Sequence, residues 1–257
     1  MAQETPPKAP DGFIDVHAHI APTSFLKEAQ KSSKAFGVDV QETDAGYALT
    51  FPGLPTLRAA GGSLSGLDAR QEWMNEQGVG SQYMAAWLDI QGYTMPPDKE
   101  ADWVRLLNEH MVQTAKDGGP AFRTIAAVPM QDGERAAREL EYAVKTLGML
   151  GVMLPSDPAD VDVADPSLEP LWAAAEDLDV PVMLHGASHS KWPLVGPSFM
   201  AFSMGRTLDT TILAAKLIHS GLLDRHPNLK LMLCHGGGSL PFLIGRVDVA
   251  YRRGMEK

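Results

Sequence analysis

Four of the eight histidines in the sequence stand at the ends of short apolar segments. His17 and His19 end the segment FIDVHAHI, His185 ends VPVMLH, and His235 follows LKLMLC. Because alternate residues of a strand share a face, the imidazoles of His17 and His19 can point at one ion. Neutral imidazole is a good ligand for Zn²⁺ and neighbouring divalent metals, which can activate a water at an open position. The four histidines together predict a divalent metal site.

The remaining histidines and the cysteine have structural interpretations. A His–x–His pair alone is weak evidence, and the two later strand-end histidines are what favour the metal interpretation. His110, His219 and His226 lie in helical patterns and are expected to be surface, packing or capping residues. His189 is favoured as a loop residue, with substrate contact as the alternative. Cys234 is expected to be a small buried hydrophobe rather than a nucleophile.

Three glycines follow His235 and precede the helical segment LPFLIGRVD. They form either a flexible turn or a loop that lets the backbone approach the site closely. On pattern alone, Arg246 in that helix is a solvated side chain. Neither GGSLSG nor GGGSLPFLIGR matches a glycine-rich phosphate-binding motif.

Short apolar segments alternate with amphipathic ones along most of the chain. This alternation predicts a parallel sheet and a (β/α) barrel, in which the carboxyl ends of the strands meet at one mouth. The predicted strands are residues 13–16, 82–88, 122–129, 148–155, 180–186 and 229–238, and the predicted helices are residues 100–117, 132–147, 167–179 and 210–227.

A closed barrel needs eight strands, and the sequence provides six. The predicted fold class is therefore α/β, a (β/α)8 TIM-barrel type that lacks its last two βα units. Residues 1–10 are expected to be disordered, and residues 11–257 to form a single domain. Residues 21–78, rich in Gly, Ser and polar residues, are expected to be an insertion that caps the barrel mouth.

The composition is that of a globular protein of 257 residues, 44% hydrophobic, with a formal net charge of −10. An acidic chain has no general attraction to nucleic acid or to an anionic membrane, so neither is expected as a partner. The single cysteine excludes an intrachain disulfide, and no apolar run approaches a membrane span. A cytoplasmic location is expected.

Several segments together resemble the amidohydrolase-related family, close to its aminocarboxymuconate-semialdehyde decarboxylase-like members. They are FIDVHAH, EWMNEQGV, AAVPMQD, GMLGVML, VMLHG and the long segment that ends in HGGGSLPFLIGRVD. The resemblance implies a metal-dependent (β/α)8 barrel, usually with zinc (Mn²⁺ is the alternative), that often acts as a homodimer. It assigns His17, His19 and His185 as metal ligands and His235 as the acid or base.

The resemblance also implies that Arg58 and Arg246 bind substrate carboxylates, Arg246 in the site of the neighbouring subunit. Two departures from the family pattern stand out. Gly186 and Ala187 follow His185 where the decarboxylase has Pro and Trp. The sequence also ends before the strand-eight aspartate that normally ligates the metal, so a truncated or partner-dependent chain is expected.

Three functions remain open at this point. The leading hypothesis is a metal-dependent decarboxylase acting on a small unsaturated or aromatic carboxylic acid. The second is a metal-dependent hydrolase of a lactone or amide, for which the same histidines would serve. The third is an inactive or partner-dependent fragment.

Overall fold

The computed structural model describes residues 12–156, 158, 161–187 and 200–254. The predicted disorder of residues 1–10 and the predicted loop position of His189 lie outside these residues. The strands are β1 (Phe13–Ile20), β2 (Asp39–Thr43), β3 (Gly46–Thr50), β4 (Val79–Ala86), β5 (Phe122–Ile125), β6 (Val152–Pro155), β7 (Pro181–His185) and β8 (Lys230–Leu233). The helices are α1 (Thr23–Lys31), α2 (Ser33–Phe36), α3 (Asp68–Gln77), α4 (Pro97–Gly118), α5 (Gly133–Lys145), α6 (Glu169–Asp177), α7 (Arg206–His219), α8 (Leu222–Arg225) and α9 (Leu240–Arg252).

Six of the described strands run parallel, in the same order in space as in the chain. β1, β4 and β5 form one parallel sheet, and β6, β7 and β8 form another. The two sheets meet at Ala126, whose N–H donates to the Gly151 carbonyl (2.8 Å) and whose carbonyl accepts from the Met153 N–H (2.9 Å). Parallel strands joined through helices place their carboxyl ends at one edge. The predicted α/β fold and all six predicted strand positions are confirmed.

The helices α4, α5 and α7 each bury one mainly apolar face, as their sequence patterns predict. In α5 the Asp132 carboxylate caps the first turn by accepting from the Arg135 N–H (3.0 Å), and the buried face carries Ala136, Leu140 and Ala143. Residues 210–227 have a helical pattern that is punctuated by Gly221, and they form α7 and α8, because Gly221 adopts a left-handed conformation (φ +70°) between the two helices. No described helix is long and apolar enough to cross a membrane.

A buried asparagine joins α4, α5 and the segment after β5. The Asn108 side chain donates to the Ala127 carbonyl (2.9 Å) and accepts from the Ala127 N–H (3.0 Å). It also donates to the Glu139 carboxylate (2.8 Å), which accepts from Arg105 (2.7 Å) as well. Asn108 and Ala127 are both fully buried, so water cannot replace these hydrogen bonds. The backbone N–H and carbonyl of Ala127 therefore depend on the Asn108 side chain.

Residues 21–78, predicted as an insertion, contain regular structure. They include α1, α2, the antiparallel hairpin β2–β3 and α3. α1 packs against α4, and α3 packs against β4. The hairpin turns at Gly46, where a Cβ would stand 2.2 Å from the Ala60 carbonyl oxygen and φ is +115°. The role of this segment as a cap over the barrel mouth stays a prediction.

The outer strands of the parallel array are β1 and β8. Within the described part of the chain, β1 pairs only with β4, and β8 pairs only with β7. The start of β1 is exposed, with Phe13 77% and Ile14 48% accessible to solvent.

Candidate active site

The carboxyl ends of β1, β7 and β8 bring the four strand-end histidines into one cluster. The ring centroids of His17 and His19 lie 5.1 Å apart, and that of His185 lies 5.0 Å and 4.9 Å from them. The His235 ring, in the loop after β8, lies 4.5 Å from His185 and 5.4 Å from His17. This cluster is what the parallel strand order produces, since residues far apart in sequence meet at one strand edge.

Three of these side chains form a geometry that fits a divalent ion. The Nε2 atoms of His17 and His19 are 3.2 Å apart, and those of His19 and His185 are also 3.2 Å apart. Two imidazole nitrogens bound to one tetrahedral zinc at about 2.0–2.1 Å would be separated by about 3.3 Å. The three candidate ligand atoms all lie within 4.8 Å of one another, and this group contains no carboxylate among the described residues. His17, His19 and His185 could hold a divalent metal.

Hydrogen bonds to the outer ring nitrogens set the tautomers of two histidines. The His185 Nδ1–H donates to the Gly186 carbonyl at 2.6 Å, which leaves its Nε2 lone pair facing the cluster. Thr210 Oγ1 donates to the Arg206 carbonyl (2.8 Å), so at 3.2 Å it accepts from the His235 Nδ1–H. His235 therefore also presents an unprotonated Nε2. The Nε2 atoms of His17, His19 and His185 face one another, and hydrogen bonds among them cannot satisfy all three. This arrangement is expected of nitrogens that ligate a cation.

The environment keeps all four imidazoles neutral. Burial, together with the other histidines, lowers the pKa of His185 to about 2. Burial, His17 and Arg206 lower the pKa of His19 to about 3. The pKa of His235 falls to about 4 through burial, His17 and Arg206, and burial also lowers the pKa of His17. Neutral imidazole is the form that ligates metals and that accepts protons.

A polar network supports β1 beneath the histidines. The Asp15 carboxylate accepts from the His17 backbone N–H (3.2 Å) and from Gln82 Nε2 on β4 (2.7 Å). Arg70 of α3 donates to Gln82 Oε1 (2.8 Å) and to the carbonyls of His19 (2.9 Å) and Ser63 (2.8 Å). These bonds hold the His–x–His segment in position. Sequence reasoning missed this network, although Asp15 lies two residues before His17 and thus on the same strand face.

The glycines after His235 let this loop pack closely on α7. Gly236, Gly237 and Gly238 all have positive φ, and so does His235 itself (φ +53°). A Cβ at Gly238 would stand 2.2 Å from the Thr207 carbonyl oxygen. The structure therefore supports the interpretation that these glycines allow a close approach of the backbone rather than a merely flexible turn. A non-glycine residue at positive φ is uncommon and concentrates at functional sites, in keeping with the position of His235.

The two predicted substrate arginines occupy different places. Arg58 is exposed, with its guanidinium carbon 4.8 Å from the ring centroid of the buried Trp87, which directly follows β4. Arg246 is exposed on α9, in a groove between α7 and α9 that is separate from the histidine cluster of its own chain. Arg206, which the sequence reasoning did not single out, acts electrostatically on His17, His19 and His235.

The residues interpreted as structural behave as such where the structure describes them. His226 bridges Glu169 and Glu176, with both ring nitrogens 2.9 Å from carboxylate oxygens, and so ties the end of α8 to α6. Cys234 is buried, and burial raises the pKa of its thiol to about 12. His110 contacts Ser24 Oγ at 2.9 Å, away from the cluster.

Comparison with known proteins identifies the family. The amidohydrolase family description matches residues 14–256, so the chain belongs to the amidohydrolase family. The chain is 27% identical over 240 residues to a 2-amino-3-carboxymuconate-6-semialdehyde decarboxylase of Dictyostelium discoideum. That match covers 91% of this chain but only 66% of the relative, so the chain spans slightly less than two thirds of its length. The predicted family resemblance is confirmed.

Solved structures with the same fold include two decarboxylases. A 5-carboxyvanillate decarboxylase from Sphingomonas paucimobilis matches with a TM-score of 0.76 at 23% identity, over 95% of this chain and 73% of that one. A dihydroxybenzoic acid decarboxylase from Polaromonas sp. JS666, with bound manganese and the inhibitor 2-nitroresorcinol, matches with a TM-score of 0.67 at 24% identity. The match covers 92% of this chain and 69% of that chain. These likenesses show that the chain has the α/β fold of TIM-barrel amidohydrolases.

Proposed function

We propose that this protein is a metal-dependent decarboxylase of a small unsaturated or aromatic carboxylic acid. The observation that carries the proposal is the convergence of the Nε2 atoms of His17, His19 and His185 beside His235. The relatives support the reaction class, since all three named above are decarboxylases of unsaturated or aromatic acids. The single cysteine supports a reducing compartment such as the cytoplasm.

The metal would be held by His17, His19 and His185. We favour Zn²⁺, because neutral imidazoles in a tetrahedral arrangement suit it, with Mn²⁺ as the alternative that one structural relative contains. When bound, such an ion supplies a Lewis acid for substrate oxygens. The hydrogen bond from His185 Nδ1 to Gly186 and the Asp15–Gln82–Arg70 network keep the ligand nitrogens aimed at it.

His235 would carry the proton in the reaction. Loss of CO₂ breaks a carbon–carbon bond and leaves its electron pair on the substrate carbon, which must then gain a proton. His235 Nε2 has a free lone pair because its Nδ1–H is engaged by Thr210, so Nε2 can take up a proton and pass it to that carbon. Burial among other imidazoles lowers the pKa of His235 to about 4, so its protonated form gives up the proton readily.

Arg58 and Arg246 would hold substrate carboxylates. Arg58 lies over Trp87, the residue that follows β4, at the edge where the histidines gather. Arg246 lies on α9, several of whose apolar side chains are exposed, and this exposure supports a homodimer in which Arg246 reaches the neighbouring site. The exposed apolar residues are Phe242, Leu243, Ile244, Val249 and Tyr251. An arginine fork matches the geometry of a carboxylate and keeps its charge when partly buried.

Release of CO₂ tests the proposal directly. The purified full chain, loaded with Zn²⁺ or Mn²⁺, would be incubated with 2,6-dihydroxybenzoate, 5-carboxyvanillate and related unsaturated acids. We expect metal-dependent CO₂ release that falls about 100-fold or more in His235→Asn, because proton transfer is lost. His110→Asn, a matched change on α4, should retain full activity. Equal rates with and without metal, or in His235→Asn, would exclude the mechanism.

Hydrolysis is the second candidate, and the family match is what favours it. The same histidines would then activate a water for attack on a lactone or amide. Ring opening of a lactone without CO₂ release would identify this activity. A chain that binds metal but catalyses neither reaction would instead support the inactive or partner-dependent fragment.

A further inference from the structure

Arg206, the first residue of α7, lies beside the histidine cluster although no sequence motif marks it. Its backbone packs so closely on Gly186 that a Cβ there would stand 2.3 Å from the Arg206 carbonyl oxygen. The same carbonyl accepts from Thr210 Oγ1 at 2.8 Å, and Thr210 also contacts His235 at 3.2 Å. The backbone therefore holds Arg206 against both the end of β7 and the loop that carries His235.

The Arg206 guanidinium is stacked on one face, and the Nε–H donor on its edge has no partner among the described residues. Its Cζ atom lies 4.7 Å from the ring centroid of Phe202. Its Nε atom is buried and has no hydrogen-bond partner among the described residues. Stacking covers the face of a guanidinium, whereas its N–H donors lie in the plane. Because a buried donor without an acceptor is unfavourable, this edge is suited to an acceptor supplied by a ligand.

A second guanidinium lies within electrostatic range. Burial is the main cause that lowers the pKa of Arg206; Asp89 opposes this effect, and Arg58 adds to it. Arg58 is itself stacked over Trp87 at 4.8 Å, so both arginines present in-plane donors from an aromatic support. The surrounding imidazoles are neutral and offer no compensating negative charge. Asp89 offsets part of the positive charge of Arg206 and Arg58, and the remaining positive charge makes the site suited to anions.

We propose that Arg206 binds a substrate carboxylate beside the histidines and, with Arg58, makes the site prefer dicarboxylates to monocarboxylates. The proposal rests on the proposed function for the choice of carboxylic acids as ligands. Each guanidinium fork can take one carboxylate in a bidentate contact. A monocarboxylate satisfies one fork and leaves the other without an anion, whereas a dicarboxylate satisfies both.

Isophthalate and benzoate test this preference, because they share a ring and differ by one carboxylate. Titration calorimetry would measure their equilibrium binding to the zinc-loaded full chain. The wild type should bind isophthalate about tenfold or more tightly than benzoate, as expected for one added charge-assisted bidentate contact. Arg206→Met should reduce this preference to about threefold or less while benzoate binding changes little, since Arg58 remains.

Two further variants control for charge and for folding. Arg206→Lys keeps the charge but not the fork, so its preference should lie between those of the wild type and Arg206→Met. Arg138→Met removes an arginine from α5, where it pairs with Glu134 at 3.7 Å, and should leave the preference unchanged. Thermal unfolding of each variant verifies the fold, and if Arg206→Met does not fold, Arg206→Lys and Arg206→Gln decide the question.

A wild-type preference below about threefold, or an equal preference in Arg206→Met, would overturn the assignment. Binding is measured without turnover, so this failure is distinct from failure of the proposed decarboxylation. A chain that releases no CO₂ but binds isophthalate through Arg206 keeps the anion site and loses the proposed reaction.

Discussion

At the scale of single residues, the proposed metal site depends on where each imidazole carries its proton. His185 and His235 donate from Nδ1 to Gly186 and Thr210, so both keep Nε2 unprotonated without help from a metal. The lowered pKa values have the same effect, because burial and neighbouring histidines disfavour a charged ring. The site is thus prepared to ligate a cation before one arrives, which reduces the cost of binding.

His19 is the most informative single substitution, because its Nε2 lies 3.2 Å from those of both His17 and His185. We expect about one divalent ion per wild-type chain and less than about a tenth of an ion in His19→Ala, since two ligands hold zinc poorly. Elemental analysis after gentle purification measures this. His110→Ala is the matched control and should keep its metal; equal metal content in both variants would disprove the ligand assignment.

At the scale of elements, α4 and α5 position the strands through buried polar contacts as well as apolar packing. Asn108→Ala should reduce the free energy of unfolding by about 3 kcal/mol or more, because it leaves both the N–H and the carbonyl of Ala127 unpaired. Urea denaturation provides the measurement. Asn75→Ala, at an exposed position whose side chain accepts from Gln71, should cost less than about 0.5 kcal/mol. Similar losses of unfolding free energy in the two variants would contradict the stabilising role of the Asn108–Ala127 hydrogen bonds.

Glu100 of α4 introduces a pH dependence into stability. Burial raises the pKa of its carboxyl to about 7, against hydrogen bonds from Met130 and Gln131. Because the folded pKa lies above the ordinary value of 4.5, the stabilising proton is fully bound below about pH 4.5 and is lost as the pH rises through 7. The free-energy cost of burying the ionised Glu100 carboxylate therefore develops between about pH 4.5 and pH 7.

Glu100→Gln removes this ionisation. Its stability relative to the wild type should rise by on the order of 3 kcal/mol between pH 4.5 and pH 8. Chemical denaturation at a series of pH values measures the difference. Glu72→Gln, at an exposed position on α3, should give a difference that is flat across the same range. A flat profile for Glu100→Gln would show that its carboxyl titrates normally.

At the scale of the whole molecule, the exposed apolar side chains of α9 support the proposed self-association. Phe242 is 93% exposed on this helix. If two chains pair through α9, Phe242→Ser should raise the dissociation constant of the dimer at least about tenfold, because a buried aromatic anchor is lost. Sedimentation velocity measures this. Leu223 on α8 is 42% exposed, and Leu223→Ser should leave the dissociation constant unchanged. A monomeric wild type would exclude the dimer.

Mixing two inactive variants tests whether Arg246 acts across such a dimer. Arg246→Ala chains would retain His235, and His235→Asn chains would retain Arg246. In mixed dimers one complete site forms, so the mixture should recover about a quarter of the wild-type activity. Each variant alone provides the baseline. No recovery after verified subunit exchange would place the role of Arg246 within its own chain or outside the reaction.

The alternation of apolar strands with amphipathic helices was sufficient to predict the parallel sheet and the positions of its strands. Periodicity carries this information because a buried strand and a one-sided helix each impose a local pattern. The same pattern predicted that the four strand-end histidines would lie close together, since the carboxyl ends of parallel strands share an edge. The burial of Cys234 as a small hydrophobe was also predicted from its local sequence.

Only the tertiary structure decided which other residues join the site. Arg206 approaches the histidines through contact with Gly186, and Arg70 reaches Gln82 and the His19 carbonyl from α3. These contacts join residues far apart in sequence, and no local periodicity encodes them. The sequence determined the histidine cluster and the strand order, because both follow from local periodicity, whereas long-range packing decided which charges surround the cluster.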